Sequence, residues 1–205
     1  MGAYETSKTV LSGLGHELKE VDFSELSSGI CSYYVIAPAE CSSNLSRFDG
    51  VKYGYRAGDQ KDISKLYMQT RSEAFGDEVK KRILIGTHVL SAGFYDAYYL
   101  QAQKVRRMIK NKFEDVFKDV DLVFMPTTLD QAFEKNREST DPNRMYKEDL
   151  LTIPANLAGL PAISFPNGFK NNLPIGGQFV GNYFSEDLLL ATTHKIQEVS
   201  DWHKM

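Results

Sequence analysis

The sequence has few cysteines, no long apolar run and no excess of charge of one sign. Its two cysteines, Cys31 and Cys41, lie on one predicted helix about 15 Å apart, which is beyond disulfide reach. No apolar stretch approaches the roughly 18 residues of a membrane span. The 24 basic and 27 acidic residues leave a net charge of −3, which argues against bulk binding to a phosphate backbone. We therefore expect a reduced, cytoplasmic protein with no membrane contact.

Motifs for metal and nucleotide binding are also absent from the sequence. The histidines are scattered, and no pair has metal-ligand spacing. No glycine-rich loop precedes a predicted helix, so nucleotide binding has no local support. We predict no metal site and no cofactor in this chain. The four histidines are His16, His88, His194 and His203.

Hydrophobic residues make up 42% of the chain, which is enough for a folded core. Helical spacing of apolar residues and caps predicts helices along most of the sequence. Pro38 is expected to kink the helix at 24–45 or to start a second one. The turn-rich stretch Phe48–Gln60 is predicted to be a long ordered surface loop. The predicted helices are Ala3–Leu14, Ser24–Leu45, Asp62–Phe75, Asp77–Leu90, Tyr95–Asp119, Leu150–Leu157 and Leu188–Val199.

Short apolar runs predict the strands. Residues Asp121–Met125 are typical of a buried parallel strand that ends at Pro126. Two further strands are predicted at 162–166 and 175–180, and alternation predicts another at 17–21. Asn167-Gly168 is expected to open a hairpin-like loop, and Gly176-Gly177 to allow close approach of backbones. Strands separated by helices indicate an α/β fold that belongs to a larger sheet.

Several segments, taken in order, resemble one family of enzymes. They are similar to the C-terminal part of the A-type subunit of the glutamyl-tRNA(Gln) amidotransferases, which belongs to the amidase signature family. The similarity runs nearly end to end, and its Arg-Ser-Glu and Asp-Pro-x-x-Met-Tyr pieces distinguish A-type subunits from generic amidases. The segments are Tyr33–Glu40, Ser42–Gly50, Thr70–Gly76, Ser91–Tyr99, Met125–Thr128, Asp141–Tyr146 and Asn156–Ser164.

This resemblance implies a fold, a reaction and partners. The fold would be the C-terminal portion of the amidase signature fold, a partial mixed sheet flanked by helices. The reaction would be hydrolysis of glutamine, with the ammonia passed on to convert Glu-tRNA(Gln) to Gln-tRNA(Gln). Amidotransferase subunits B and C would be the partners, and one of these partners would bind ATP and Mg for the whole complex.

The sequence departs from the family at the catalytic residues. The family uses a Ser–cis-Ser–Lys triad whose nucleophile lies in a Gly- and Ser-rich stretch, and that stretch is absent here. Neither of the adjacent serine pairs, Ser27-Ser28 and Ser42-Ser43, has glycine neighbours of the kind that the family's stretch requires. We therefore predict that residues 1–205 form one C-terminal fragment of an amidase domain, without the catalytic half and without catalytic residues.

Substrate recognition remains as a role for this chain. Free glutamine carries an α-carboxylate and an α-ammonium, which require a cation and an anion in the pocket. The resemblance implies that Arg71 binds the carboxylate and Asp141 the ammonium of glutamine. From the pattern alone, the favoured interpretation is a helix-surface arginine and an aspartate that only begins an Asp-Pro turn, and the resemblance reverses this preference.

Two other functions stay open at this point. The chain could be a non-catalytic binding or assembly module that keeps only the C-terminal lobe of an amidase fold. It could also be a stand-alone amidase from another family that uses Cys31 or Cys41. A catalytic serine signature upstream would favour the amidotransferase, and alkylation of the thiols would test the cysteine enzyme.

Overall fold

The computed structural model describes residues 2–58, 61–133 and 148–204. It divides the chain into two compact units, Met1–Ile30 with Arg106–Met205, and Cys31–Val105. The prediction of a single domain portion over 1–205 stays a prediction. The described helices are α1 (Ala3–Gly13), α2 (Gly29–Leu45), α3 (Ile63–Ala74), α4 (Asp77–Val89), α5 (Leu100–Val116), α6 (Ile153–Ala158) and α7 (Glu186–Val199), and the strands are β1 (Leu122–Pro126), β2 (Ala162–Lys170) and β3 (Leu173–Gly181).

The first unit contains the three strands, which form one sheet in the order β1-β3-β2. Helices α1 and α7 pack on this sheet. The rings of Phe165 and Phe179, on neighbouring strands, stack with their centroids 5.0 Å apart, and both residues are buried. Alternation of side chains along each strand places them on one face, where they meet the helices. The buried members of this core are Leu11, Phe165, Phe179, Leu189 and Ile196. The α/β class expected from the sequence is confirmed.

Strand direction differs from the sequence-based expectation. Both β1 and β2 pair with β3 in antiparallel fashion, so the prediction of a buried parallel strand at 121–125 is wrong for these pairings. Strand β1 is mostly half-buried. A short apolar run indicates that a segment is buried, but it does not indicate the direction of the strand beside it. In this sheet the strand beside β1 comes from a distant part of the sequence. Residues 17–21 form no strand.

The β2–β3 hairpin turns later than predicted. Strand β2 continues to Lys170, past Asn167-Gly168, with a register irregularity between Pro166 and Phe169. The turn itself falls at Asn171 and Asn172, whose φ angles of 52° and 60° are left-handed. Asparagine tolerates this conformation, which suits a two-residue hairpin turn. The glycine at 168 instead supplies the irregularity, with φ of 120°.

The second unit is helical. Helix α2 runs through Pro38 without a break, so Pro38 does not start a second helix, and the alternative, a kink at Pro38, stays a prediction. Pro38 is fully buried, and its carbonyl lies at Gly86 of α4, where a Cβ would overlap the oxygen. Packing at this close crossing outweighs the cost of proline inside a helix. Residues Tyr95–Tyr99 form a π-helical turn before α5, where one regular helix was predicted.

Candidate functional site

Helix α3 positions the predicted substrate-binding arginine. The helix begins after Asp62, whose carboxylate accepts a hydrogen bond from the Ser64 N–H at 2.8 Å, as its sequence predicts for a cap. Arg71 lies in the last turn of the same helix. A cation there interacts favourably with the helix dipole, so the guanidinium is well placed at this end.

The guanidinium of Arg71 is fixed by one of its nitrogens. Its Nη1 donates to the backbone carbonyl of Leu45 at 2.6 Å and to that of Phe48 at 3.2 Å. Leu45 is the last residue of α2, where carbonyls lack partners within their own helix. The ring of Phe75 lies against the guanidinium, 5.1 Å from its carbon. Two carbonyls and a ring thus set the plane of this side chain.

The other edge of the guanidinium, formed by Nε and Nη2, is the one that can bind a ligand. Within the residues described, Nε and Nη2 of Arg71 have no hydrogen-bond partner. The side chain is half-buried rather than fully exposed. These two nitrogens can donate in parallel to a carboxylate, which is the bidentate geometry that arginine favours. The arrangement can therefore bind a carboxylate without disturbing the bonds that hold Nη1.

The loop 46–58 lies against α3 and supplies one of the Arg71 partners. Thr70 is buried, and its hydroxyl accepts from the Ala57 N–H at 3.1 Å. Gly50 has φ of 79°, and a Cβ there would lie 2.8 Å from the Thr70 side chain. Arg56 donates to the Gly50 carbonyl at 3.1 Å. The loop predicted at 48–60 is thus held in a defined conformation over its described part, 48–58.

A second tether joins this loop to α3. The Tyr55 hydroxyl donates to the Glu73 carboxylate, which also accepts from the Gln69 amide at 2.7 Å. The bond from Tyr55, and then that from Gln69, lowers the pKa of Glu73 below its ordinary value. The same bond to Glu73 raises the pKa of Tyr55. The tether is complete only when the carboxyl is ionised and the phenol is protonated.

Asp141, the other predicted site residue, lies outside the described residues. Its assignment to the α-ammonium of glutamine therefore stays a prediction.

The serines and cysteines considered for catalysis have ordinary surroundings. The Ser42 hydroxyl pairs with that of Thr87 at 2.8 Å, and Thr87 in turn donates to the Ile83 carbonyl. Cys31 and Cys41 are free thiols on α2. In the described part of the chain, neither Ser42 nor either cysteine forms a hydrogen bond with a lysine or a histidine.

Sequence reasoning missed the partners of Arg71. The carbonyls of Leu45 and Phe48 carry no signal in the sequence, because every residue has a carbonyl. The tether between Tyr55 and Glu73 was equally invisible, although glutamine and glutamate at Gln69 and Glu73 have the spacing of helix neighbours.

Two features of the described ranges bear on other functions. No helix there combines the length and apolar character that crossing a membrane requires. Across the same residues, no three His, Cys, Asp or Glu side chains gather in a way that could hold a metal ion.

Comparisons with known proteins connect this geometry to one family. The Amidase family model matches residues 1–190. The A-type subunit of glutamyl-tRNA(Gln) amidotransferase from Hahella chejuensis is 55% identical over 202 residues, which cover 98% of this chain and 42% of that protein. The protein of the same name from Coxiella burnetii (strain Dugway 5J108-111) is 52% identical over 200 residues, covering 98% and 41%. The chain spans about two fifths of the length of these relatives.

Solved structures give the same picture. The crystal structure of the A-type subunit of glutamyl-tRNA(Gln) amidotransferase from Thermotoga maritima superposes with a TM-score of 0.70 at 38% identity, covering 97% of this chain and 38% of that one. A crystal structure of an amidase superposes with a TM-score of 0.71 at 20% identity, covering 96% and 41%, which supports the fold alone.

Proposed function

The chain belongs to the amidase family, and from this membership we propose that it is part of the glutamine-hydrolysing subunit of a glutamyl-tRNA(Gln) amidotransferase. Identities of 55% and 52% to A-type subunits of that enzyme support the proposal, as does the 38% identity to a solved one. The order and spacing of the Arg-Ser-Glu and Asp-Pro-x-x-Met-Tyr segments favour this subunit over a generic amidase.

In the proposed reaction, the complete subunit hydrolyses the side-chain amide of glutamine to glutamate and ammonia. A partner then uses the ammonia to convert Glu-tRNA(Gln) to Gln-tRNA(Gln). Subunits B and C are the proposed partners, and ATP and Mg are bound by a partner rather than by this chain. The complex is proposed to act in the cytoplasm. No residue of this chain is assigned a catalytic role.

At the level of residues, the proposal is supported by the guanidinium of Arg71, of which only one edge is hydrogen-bonded. Its Nη1 is held by the Leu45 and Phe48 carbonyls, while Nε and Nη2 have no partner among the described residues. We assign this open edge to the α-carboxylate of glutamine. Asp141 is assigned to the α-ammonium, because a carboxylate is the natural partner of that cation. Together the two charges would select a free amino acid over a simple amide.

The test is a set of substitutions at the matching positions of the complete subunit in its complex with the partners. Removing one side of a desolvated charge pair costs about 2–5 kcal/mol, or roughly 30- to several-thousand-fold in affinity. Arg71→Ala and Asp141→Ala are therefore expected to raise the KM for glutamine by such a factor. Arg71→Lys keeps the charge but loses the planar fork, so we expect it to restore only part of the affinity.

Ammonia-dependent amidation serves as the internal reference, because free ammonia bypasses the glutamine pocket. We expect it to stay within about two-fold of the parent in all three variants. Arg82→Ala is the matched control, since Arg82 is also a helical arginine, hydrogen-bonded to Tyr33 and Glu78. Normal use of glutamine by Arg71→Ala and Asp141→Ala, or an equal loss of ammonia-dependent activity, would show that these residues are only structural.

A further inference from the structure

Thr70, the residue directly before Arg71 on α3, is buried against the loop 46–58. It is 1% exposed, and so is Ala57, whose N–H donates to the Thr70 hydroxyl at 3.1 Å. Successive residues of a helix point in directions about 100° apart, so Thr70 and Arg71 contact different parts of this loop. The bond between Thr70 and Ala57 matters for the fold of the loop, because a buried hydroxyl or N–H left unpaired costs free energy.

The middle of the loop lies on the same threonine. Gly50 has φ of 79°, and a Cβ there would lie 2.8 Å from both Cγ2 and Oγ1 of Thr70. The backbone therefore approaches Thr70 at a position that only glycine fits. Arg56, which precedes Ala57, donates from its Nη1 to the Gly50 carbonyl at 3.1 Å. The two ends of the stretch 50–57 thus both contact Thr70.

A short turn connects Gly50 to the carbonyl that holds Arg71. Phe48 lies two positions before Gly50, and its carbonyl accepts from the Arg71 Nη1 at 3.2 Å. Between them, the Asp49 carboxylate accepts from the Val51 N–H at 2.9 Å, a bond that keeps the turn compact. A shift of Gly50 away from Thr70 is therefore passed on to the Phe48 carbonyl.

We propose that Thr70 is a positioning residue for glutamine binding: it seats the loop, the loop places the Phe48 carbonyl, and that carbonyl helps to fix the Arg71 guanidinium. The inference rests on the proposed function, because it requires Arg71 to bind the α-carboxylate of glutamine. Thr70 itself does not touch the substrate in this assignment. With the Leu45 carbonyl alone the guanidinium could turn about one hydrogen bond, whereas the second bond, to Phe48, sets the direction of Nε and Nη2. Loss of the Thr70 hydroxyl therefore weakens the binding of glutamine and leaves the use of ammonia intact.

The experiment compares two replacements of a hydroxyl by a methyl group in the complete subunit within its complex. Thr70→Val keeps the shape of the side chain but leaves the Ala57 N–H unpaired, so we expect it to lower Tm. Thr87→Val makes the same change on α4, where the hydroxyl bonds the Ile83 carbonyl and the Ser42 hydroxyl. Only Thr70→Val is expected to raise the KM for glutamine, by about 10-fold, with kcat and ammonia-dependent activity within about two-fold of the parent.

Two further variants separate positioning from stability. Thr70→Ser keeps the hydroxyl and loses a buried methyl group, so it is expected to lower Tm while the KM for glutamine stays within about two-fold of the parent. If Thr70→Val does not fold, Arg56→Met replaces it, because Arg56 is exposed and the change frees only the Gly50 carbonyl. We expect Arg56→Met to raise the KM for glutamine by about 5-fold. An unchanged KM in Thr70→Val, or in Arg56→Met where it takes that place, would overturn the inference, as would an equal rise in Thr70→Ser or Thr87→Val.

Hydrogen exchange supplies a readout that does not depend on activity. Under this proposal the loop and the bound ligand stabilise each other, because a coupling between two sites is reciprocal. The probe is saturating glutamate, the reaction product that keeps the α-carboxylate and the α-ammonium. It is expected to slow the exchange of amides at 50–57 in the parent, and to do so much less in Thr70→Val. Equal protection in both proteins, or none in the parent, would contradict the coupling.

The same set of variants separates the two proposals. If Arg71→Ala uses glutamine normally, the assignment of Arg71 to the substrate is wrong, and the inference about Thr70 fails with it. If Arg71→Ala loses glutamine affinity and Thr70→Val does not, the glutamine site stands and only the role of Thr70 is wrong.

Discussion

At the scale of single residues, the guanidinium of Arg71 has one nitrogen that is hydrogen-bonded and two that have no partner among the described residues. Nη1 is held by the Leu45 and Phe48 carbonyls, and the ring of Phe75 covers one face of the guanidinium. A side chain that is already oriented loses less rotamer freedom when it binds a ligand, so its hydrogen bonds contribute more to affinity. The loop that contains Phe48 therefore helps to orient this arginine.

The tether from Tyr55 to Glu73 gives that loop a measurable dependence on pH. Glu73 has a lowered pKa in the folded chain. Its contribution to the free energy of unfolding is therefore complete above about pH 4.5 and is lost as the pH falls through the pKa of the folded state. Tyr55 has a raised pKa in the folded chain. Its contribution to the free energy of unfolding is therefore complete below about pH 10.0 and is lost as the pH rises through the pKa of the folded state. We expect Tyr55→Phe to lower Tm by about 1–3 °C near pH 7.

The difference in Tm between parent and Tyr55→Phe should shrink toward both extremes, acidic and alkaline. Thermal unfolding across the pH range measures it. Tyr53→Phe is the matched control, because Tyr53 packs against Phe48 and its hydroxyl has no hydrogen bond among the described residues. A difference that is constant with pH, or equal in both variants, would mean that the bond to Glu73 adds no stability.

At the scale of elements, the crossing of α2 and α4 depends on one glycine. A Cβ at Gly86 would overlap the Pro38 carbonyl oxygen and would lie 2.8 Å from the Ser42 side chain. Backbone atoms cannot move aside as a flexible side chain can, so the helices would have to separate. The buried position of Pro38 at this crossing also explains why α2 continues through a proline.

Gly86→Ala is accordingly expected to destabilise the fold by about 3 kcal/mol or more, at the upper end of overpacking effects. Unfolding in urea, followed by circular dichroism, measures the change. Gly13→Ala is the control, because Gly13 lies at the end of α1 with nothing within 4 Å of a Cβ there. That variant should be neutral or slightly more stable. Equal effects of the two substitutions would show that the crossing tolerates a methyl group.

At the scale of the whole molecule, the chain corresponds to about two fifths of its relatives, 42% of the Hahella protein and 41% of the Coxiella protein. It contains the open edge of Arg71 but no Gly- and Ser-rich nucleophile segment. The hydroxyl of Ser42, a serine that was considered as a nucleophile, is hydrogen-bonded to the hydroxyl of Thr87. Under the proposed function, the chain would therefore contribute to glutamine binding without supplying the catalytic residues.

We therefore expect this chain alone to release no ammonia from glutamine above a blank. Loss of a whole catalytic triad lowers turnover by about 10⁶-fold, and the oxyanion donors are missing as well. An ammonia-release assay on the purified chain measures this, with Ser42→Ala and Ser43→Ala as controls. Turnover that either substitution abolishes would place a nucleophile in this pair and contradict the assignment.

The sequence by itself determined the local features and the family. Apolar spacing and caps located most helices to within a few residues, including the Asp62 cap of α3, since these signals act over three or four neighbouring positions. The two glycines at 176 and 177 lie where neighbouring elements come close, but the atoms that a Cβ there would meet belong to the side chains of Thr127, Asn167 and Phe124 rather than to the backbone that was predicted. Ordered motifs were enough to identify the amidase family, because their residues and spacing are visible in the sequence itself.

Only the tertiary structure decided the direction of β1 and the hydrogen-bond partners of Arg71. Each depends on residues between 23 and 59 positions away, such as the Phe48 carbonyl for Arg71 or the antiparallel pairing of Leu122 with Gly181. A hydrophobic run records that a segment is buried, not which neighbour buries it or in which direction that neighbour runs. A backbone carbonyl has the same chemistry in every residue, so its use as a ligand is visible only once the chain has folded.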